Sequence, residues 1–111
     1  MSYAIDFAGP FNISNCYDFV LVVVDRLSGY TWLIPTTTKV TAEQTFTLLR
    51  TNIFSHHGYP HSIVSDADPR FTSCFWRQTA KSLGIELIMA TPGHHETNGQ
   101  VERKLENLRQ H

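Results

Sequence analysis

A chain of 111 residues has room for one domain and little more, and its 41% hydrophobic and 12% aromatic content is enough to close a core, which excludes a wholly disordered polypeptide. The formal net charge of −1 lacks the basic excess that drives strong independent binding to nucleic acid through phosphate contacts. No apolar run approaches the roughly 18 to 20 residues that cross a bilayer, the longest being Phe19 to Val24, so no membrane partner is expected.

Three strands come first. Tyr3 to Phe7 is short and mixed in character. Tyr17 to Val24 is rich in β-branched residues and apolar almost throughout, the pattern of a strand buried on both faces. Asp25 to Gly29 supplies turn chemistry, and Tyr30 to Ile34 returns as a third strand ending at Pro35. This is an antiparallel meander with its longest strand in the middle.

The apolar period then changes. Ala42, Phe46, Leu49 and Ile53 recur at helical spacing, which predicts an amphipathic helix over Thr41 to Phe54. Thr41 with Gln44 forms a capping box, and Gly58 and Pro60 stop the chain beyond the other end. His61 to Ser65 is a short strand running into Asp66. A second helix is expected from about Thr72 to Leu83, with Phe75, Trp76, Thr79, Ala80 and Leu83 inward and Gly84 after it. Ile85 to Met89 is the fifth strand, Ala90 to Gly99 a polar loop, and a last helix runs from about Thr97 to the end. The fold class is therefore α/β: a mixed five-stranded sheet, made of a three-stranded antiparallel meander plus two parallel strands, flanked by helices.

The N-terminus lacks the charged start and long apolar stretch of a secretory signal. Cys16 and Cys74 are far apart and form no C-x-x-C, so they read as reduced thiols of an intracellular protein. The pairs His56–His57 and His94–His95 are adjacent and lack the H-x₃₋₅-H spacing of a zinc site.

Three acids stand out against this frame. Asp6 falls in the middle of the first strand, where a carboxylate is unwelcome. Asp66 follows the fourth strand, at the sheet edge where ligands bind in open α/β folds. Glu102 lies near the start of the last helix, on a face beside the apolar stripe of Val101, Leu105 and Leu108. Three converging carboxylates would repel one another and raise their pKa values unless cations neutralise them. Mg²⁺ suits such a set, since it takes one or two carboxylates per ion and leaves its other positions to water and phosphate oxygens. The competing acids Asp25 and Asp68 stand in turn and cap positions, and Glu106 in an exposed helical one.

Asp6, Asp66 and Glu102, with 35 residues between the last two, resemble the D,D-35-E signature of retroviral and LTR-retrotransposon integrases, gypsy-like ones in particular. The flanks are similar as well: IDF around Asp6, VVVDRLSGY in the hairpin, HGYPHSIVSDADPRFTSCFW around Asp66, LGIEL in the fifth strand, and H-x-x-T-N-G-Q-V-E-R from His94 to Arg103. The resemblance covers nearly the whole chain.

It implies an RNase H-like catalytic core spanning residues 1–111 and ending within or just after the helix of the catalytic Glu. It also implies a metal-dependent polynucleotidyl transferase and endonuclease that processes the 3′ ends of retroelement DNA and joins them to target DNA. Asp6, Asp66 and Glu102 would be the catalytic metal ligands, holding two Mg²⁺ or Mn²⁺ ions. Residues 93–100 would be the active-site loop, and His94, Asn98, Gln100, Arg103, Lys104 and Arg109 the DNA contacts. Element DNA ends, target DNA and, in the full-length protein, further copies of the chain would be the partners, with the nucleus as the place of action. The chain departs from its relatives at Leu105, where Asn is common, at Gly93 and His95, where an aromatic residue and Pro are usual, and at Ala67, where a basic residue is frequent. These departures leave the metal ligands intact and bear on the loop and the DNA contacts. They define a second reading, a catalytically silent module that keeps the fold and binds DNA or protein.

Overall fold

A computed structural model describes residues 1–12 and 16–90. Five strands form one mixed sheet: β1 (Ser2–Ala8), β2 (Phe19–Asp25), β3 (Thr31–Thr36), β4 (Ser62–Ser65) and β5 (Glu86–Met89), in the spatial order β3-β2-β1-β4-β5. The first three run as the expected antiparallel meander, while β4 joins β1 and β5 joins β4 in parallel.

β2 is apolar throughout because both of its faces are covered. Leu21 and Val23 belong to one buried cluster, with Tyr3, Ile5, Ile63 and the helices; Val20, Val22 and Val24 belong to a second, with Ala4, Ala8 and Val64. β3 continues through Pro35 to Thr36, further than its proline suggested. The strand lies at the sheet edge, where a residue lacking an N–H is tolerated.

The first helical stretch begins as expected. Thr41 caps α1 (Ala42–Leu49): its hydroxyl accepts from the Gln44 N–H at 3.1 Å, and the Gln44 amide oxygen accepts from the Thr41 N–H at 3.0 Å. The axis then widens into a π-helical turn (Arg50–Phe54) before closing as α2 (Ser55–His57), which Gly58 ends at φ +80°. The wider turn lets the neighbours Ile53 and Phe54 both reach the core. Asn52 and Ser55 donate to the carbonyls of Leu48 and Thr51, supplying partners along that stretch.

The second helix comes in two pieces. Asp68 caps α3 (Pro69–Thr72), Ser73 is extended, and its hydroxyl caps α4 (Cys74–Ser82) by accepting from the Trp76 N–H at 3.1 Å. Trp76 and Ala80 are buried and Thr79 and Leu83 partly so, but Phe75 is exposed, contrary to the inward face expected for it. Beginning α4 at Cys74 aims Trp76 inward and leaves its neighbour Phe75 at the rim, edge-on to Phe46. Among the described residues no helix is long and apolar enough to cross a membrane.

Candidate metal centre

Strand alternation delivers Asp6. Tyr3, Ile5 and Phe7 face the helices, so Ala4, Asp6 and Ala8 face the other side of β1. The parallel pairing sets Ala4 beside Val64 on β4. Two residues further along both strands, on the same face, Asp6 stands next to Asp66, which leaves the C-terminal end of β4. A carboxylate in mid-strand and another at the strand exit thus meet by register alone.

Their environments differ. Asp66 is exposed, and its Oδ1 accepts from the Asp68 N–H at 3.1 Å. Asp6 is half-buried and accepts from the Phe7 N–H at 2.8 Å. Its pKa is pushed up to about 6, first by burial and then by the Asp66 charge. A side-chain hydrogen bond with Asp66 and the charge of Asp68 push the same way, while the Phe7 N–H partly opposes them. The pair therefore favours an added proton or cation.

The neighbouring residues hold this pair firmly. Phe7 stacks between Phe19 (centroids 4.9 Å apart) and Phe71 (5.4 Å), and Phe71 packs against Trp76 at 5.1 Å. Asp68 is not available as a further ligand: both of its oxygens accept from Arg70 Nη1, at 3.2 and 2.9 Å, and Oδ1 also accepts from the Arg70 N–H at 2.8 Å. Asp25 is likewise occupied within its own turn, where Oδ1 accepts from the N–H groups of Leu27 and Ser28.

The chemistry of the donor set fits a hard divalent cation. Two adjacent carboxylates with oxygen-only donors match Mg²⁺ or Mn²⁺ coordination, and a bound cation would offset the burial and the Asp66 charge that raise the Asp6 pKa. Among the described residues no group of three metal-ligating side chains forms. The expected third carboxylate, Glu102, lies outside the described residues, as do His94, Asn98, Gln100, Arg103, Lys104, Arg109 and the loop and helix that carry them. Arg70 escaped the reading of the sequence, because its two backbone acceptors lie 30 and 32 residues upstream and no local spacing announces them.

The family model described as integrase core domain matches residues 3–95. The Pro-Pol polyprotein of simian foamy virus type 3 (strain LK3) is 38% identical over 107 residues, 96% of this chain and 9% of that protein. The Transposon Tf2-3 polyprotein of Schizosaccharomyces pombe (strain 972 / ATCC 24843) is 34% identical over 102 residues, 92% of this chain and 8% of that protein. The chain thus spans less than a tenth of the length of these relatives. Among solved structures, the HTLV-2 integrase catalytic core domain in complex with magnesium (trimeric form) superimposes with a TM-score of 0.74 at 23% identity, covering 95% of this chain and 64% of that one. The catalytic core domain of BIV integrase does so at 0.76 and 22%, covering 98% and 66%. The simian T-cell lymphotropic virus intasome, in complex with PP2A regulatory subunit B56 gamma, gives 0.81 and 23%, covering 98% and 38%. These likenesses agree with the expected RNase H-like arrangement of the sheet and helices.

Proposed function

The chain belongs to the integrase core domain family, and from that premise we propose that it is a metal-dependent polynucleotidyl transferase core acting on the 3′ ends of retroelement DNA and on target DNA. The observation that carries this reading is the meeting of Asp6 and Asp66 on one face of the sheet, with the Asp6 carboxyl held at a pKa of about 6.

Asp6 and Asp66 bind the cations in this reading, and Glu102 completes the set. When bound, divalent ions would supply charge neutralisation for an in-line phosphoryl transfer. The reaction is two displacements at phosphorus. Water attacks near the element's 3′ end and frees a 3′-hydroxyl, and that hydroxyl then attacks a target phosphodiester, forming one P–O bond as another breaks. The protein's part is to orient. Asp6 is fixed by its strand and the Phe7 N–H, Asp66 by the Asp68 N–H. His94, Asn98, Gln100, Arg103, Lys104 and Arg109 are the proposed DNA contacts, and their cationic members supply positive charge that the chain as a whole lacks. Assembly with further copies and action in the nucleus belong to the same proposal. The magnesium and the trimeric form named for the HTLV-2 core, and the intasome named for the simian virus, support the metal and the assembly.

The test is incubation of the chain with labelled duplex DNA in Mg²⁺ or Mn²⁺. Metal-dependent nicking and joined 3′ ends, both lost in Asp6→Asn and Glu102→Gln, are expected. Retained activity in either variant would mean that the cleavage does not use this carboxylate set, and none in a parent that binds metal would favour a silent binding module.

A further inference from the structure

Arg70 carries its charge inside the fold. Its side chain is only 21% exposed, and its donors are directed at the protein itself. Nε donates to the Val40 carbonyl at 2.6 Å and Nη2 to the Thr38 carbonyl at 2.8 Å. Nη1 reaches both oxygens of Asp68, and the guanidinium lies over the Phe7 ring, 4.7 Å from its centroid. Three segments remote in sequence meet at this one group: the connection between β3 and α1, the end of β1 beside Asp6, and the turn that carries Asp66.

Asp68, so held, passes the constraint on. Its backbone N–H donates to Asp66 Oδ1, so a continuous line of hydrogen bonds runs from Thr38 and Val40 through Arg70 and Asp68 to the Asp66 carboxylate. The ring under the guanidinium belongs to Phe7, whose own N–H donates to Asp6 Oδ1. Arg70 thus braces both carboxylates while touching neither through its side chain. A planar fork with five donors can serve the two carbonyls and Asp68 together; a lysine, with a single nitrogen, cannot.

We propose that Arg70 is a positioning residue for the Asp6–Asp66 pair, fixing the Asp66–Asp68 turn against the β3–α1 connection and so setting the separation and aim of the two carboxylates. This inference rests on the metal-site reading given above. A purely structural strut would lower stability and leave metal affinity alone, whereas a positioning residue changes affinity in molecules that remain folded. Partners that orient metal ligands from behind commonly alter affinity by about 10- to 100-fold when changed.

The experiment uses the whole chain, as parent and as Arg70→Lys, with Asp68→Asn as the milder second variant should Arg70→Lys fail to unfold cooperatively. Asp25→Ala serves as a control that weakens the β2–β3 turn without reaching the Asp66 turn. Mn²⁺ affinity is measured by calorimetry, and Asp68 amide hydrogen exchange is followed by NMR in metal-free buffer. Arg70→Lys is expected to weaken Mn²⁺ binding on the order of tenfold or more and to speed Asp68 exchange, while Asp25→Ala changes neither. Parental Mn²⁺ affinity in a folded Arg70→Lys protein would overturn the proposal, whatever the Asp68 exchange. A parent that binds no Mn²⁺ would sink the metal reading, and the Asp68 exchange would then decide the bracing role by itself.

Discussion

Two aspartates leave strands of the same sheet and enter turns, and they end up in different surroundings. Asp25 closes β2, and its Oδ1 accepts from Leu27 and Ser28, two and three residues on, while the Gly29 N–H returns to its carbonyl. Asp66 follows β4, accepts one N–H from Asp68, and otherwise faces Asp6 and solvent. The hairpin is held together locally, whereas the Asp66 turn is held by Arg70, which is anchored to carbonyls 30 and 32 residues upstream of it. Each accepts at Oδ1 from the N–H two residues on; Asp25 adds a second local N–H, whereas Asp66 has the Asp6 carboxylate beside it. Sequence spacing alone does not separate the two turns, but the reach of the hydrogen bonds behind them does.

The largest expected effect comes from breaking the aromatic packing behind Asp6. Phe71 is fully buried and joins Phe7 to Trp76, so Phe71→Ala should cost about 3–5 kcal/mol, measured by urea unfolding. In a domain of this size that leaves little folded protein.

A smaller effect sharpens the electrostatic side of the contrast. A carboxyl whose folded pKa is raised binds more protons folded than unfolded, so its contribution to stability is fully present below the ordinary value of 3.8 and is lost as pH rises through about 6. Metal-free protein should therefore lose roughly 1–2 kcal/mol between pH 4 and 7, after allowance for the solvent access of this half-buried group. Asp66→Asn should flatten that slope, and a divalent cation should cancel it, both readable in denaturant melts across pH. An unchanged slope in Asp66→Asn would mean that the two carboxylates do not communicate.

Asp25→Ala tests the other turn. Loss of its two N–H partners should cost about 1 kcal/mol and leave the response to Mn²⁺ untouched. The smallest effect is expected at Leu27, which is 96% exposed at the tip of that hairpin: Leu27→Lys should stay within about 0.5 kcal/mol of the parent.

Much of this architecture was legible in the residues because it is encoded over short distances. The double-sided burial of β2, the Thr41–Gln44 box and the cap and turn roles of Asp68 and Asp25 all follow from neighbours a few positions apart. Asp6 was conspicuous as an acid in a strand, and its meeting with Asp66 followed from the parallel crossover. Other features depend on the assembled core. The π turn at Arg50–Phe54 answers to where Ile53 and Phe54 must point, and the break at Ser73 sets which of Phe75 and Trp76 is buried. Pro35 reads as a strand end unless the edge position of β3 is known. Arg70 was hidden most completely, since two of its acceptors are backbone carbonyls, which every residue has.

The most direct test of the central claim is the melting temperature of the parent and of Asp66→Asn as Mn²⁺ is raised to about 100-fold above its Kd at neutral pH. Binding to the folded state alone is then worth about 2.7 kcal/mol, so the parent should melt higher by several degrees. The prediction is a rise in the parent that Asp66→Asn abolishes. An equal rise in both proteins, or none in a parent that still unfolds cooperatively, would contradict a metal site built on Asp6 and Asp66.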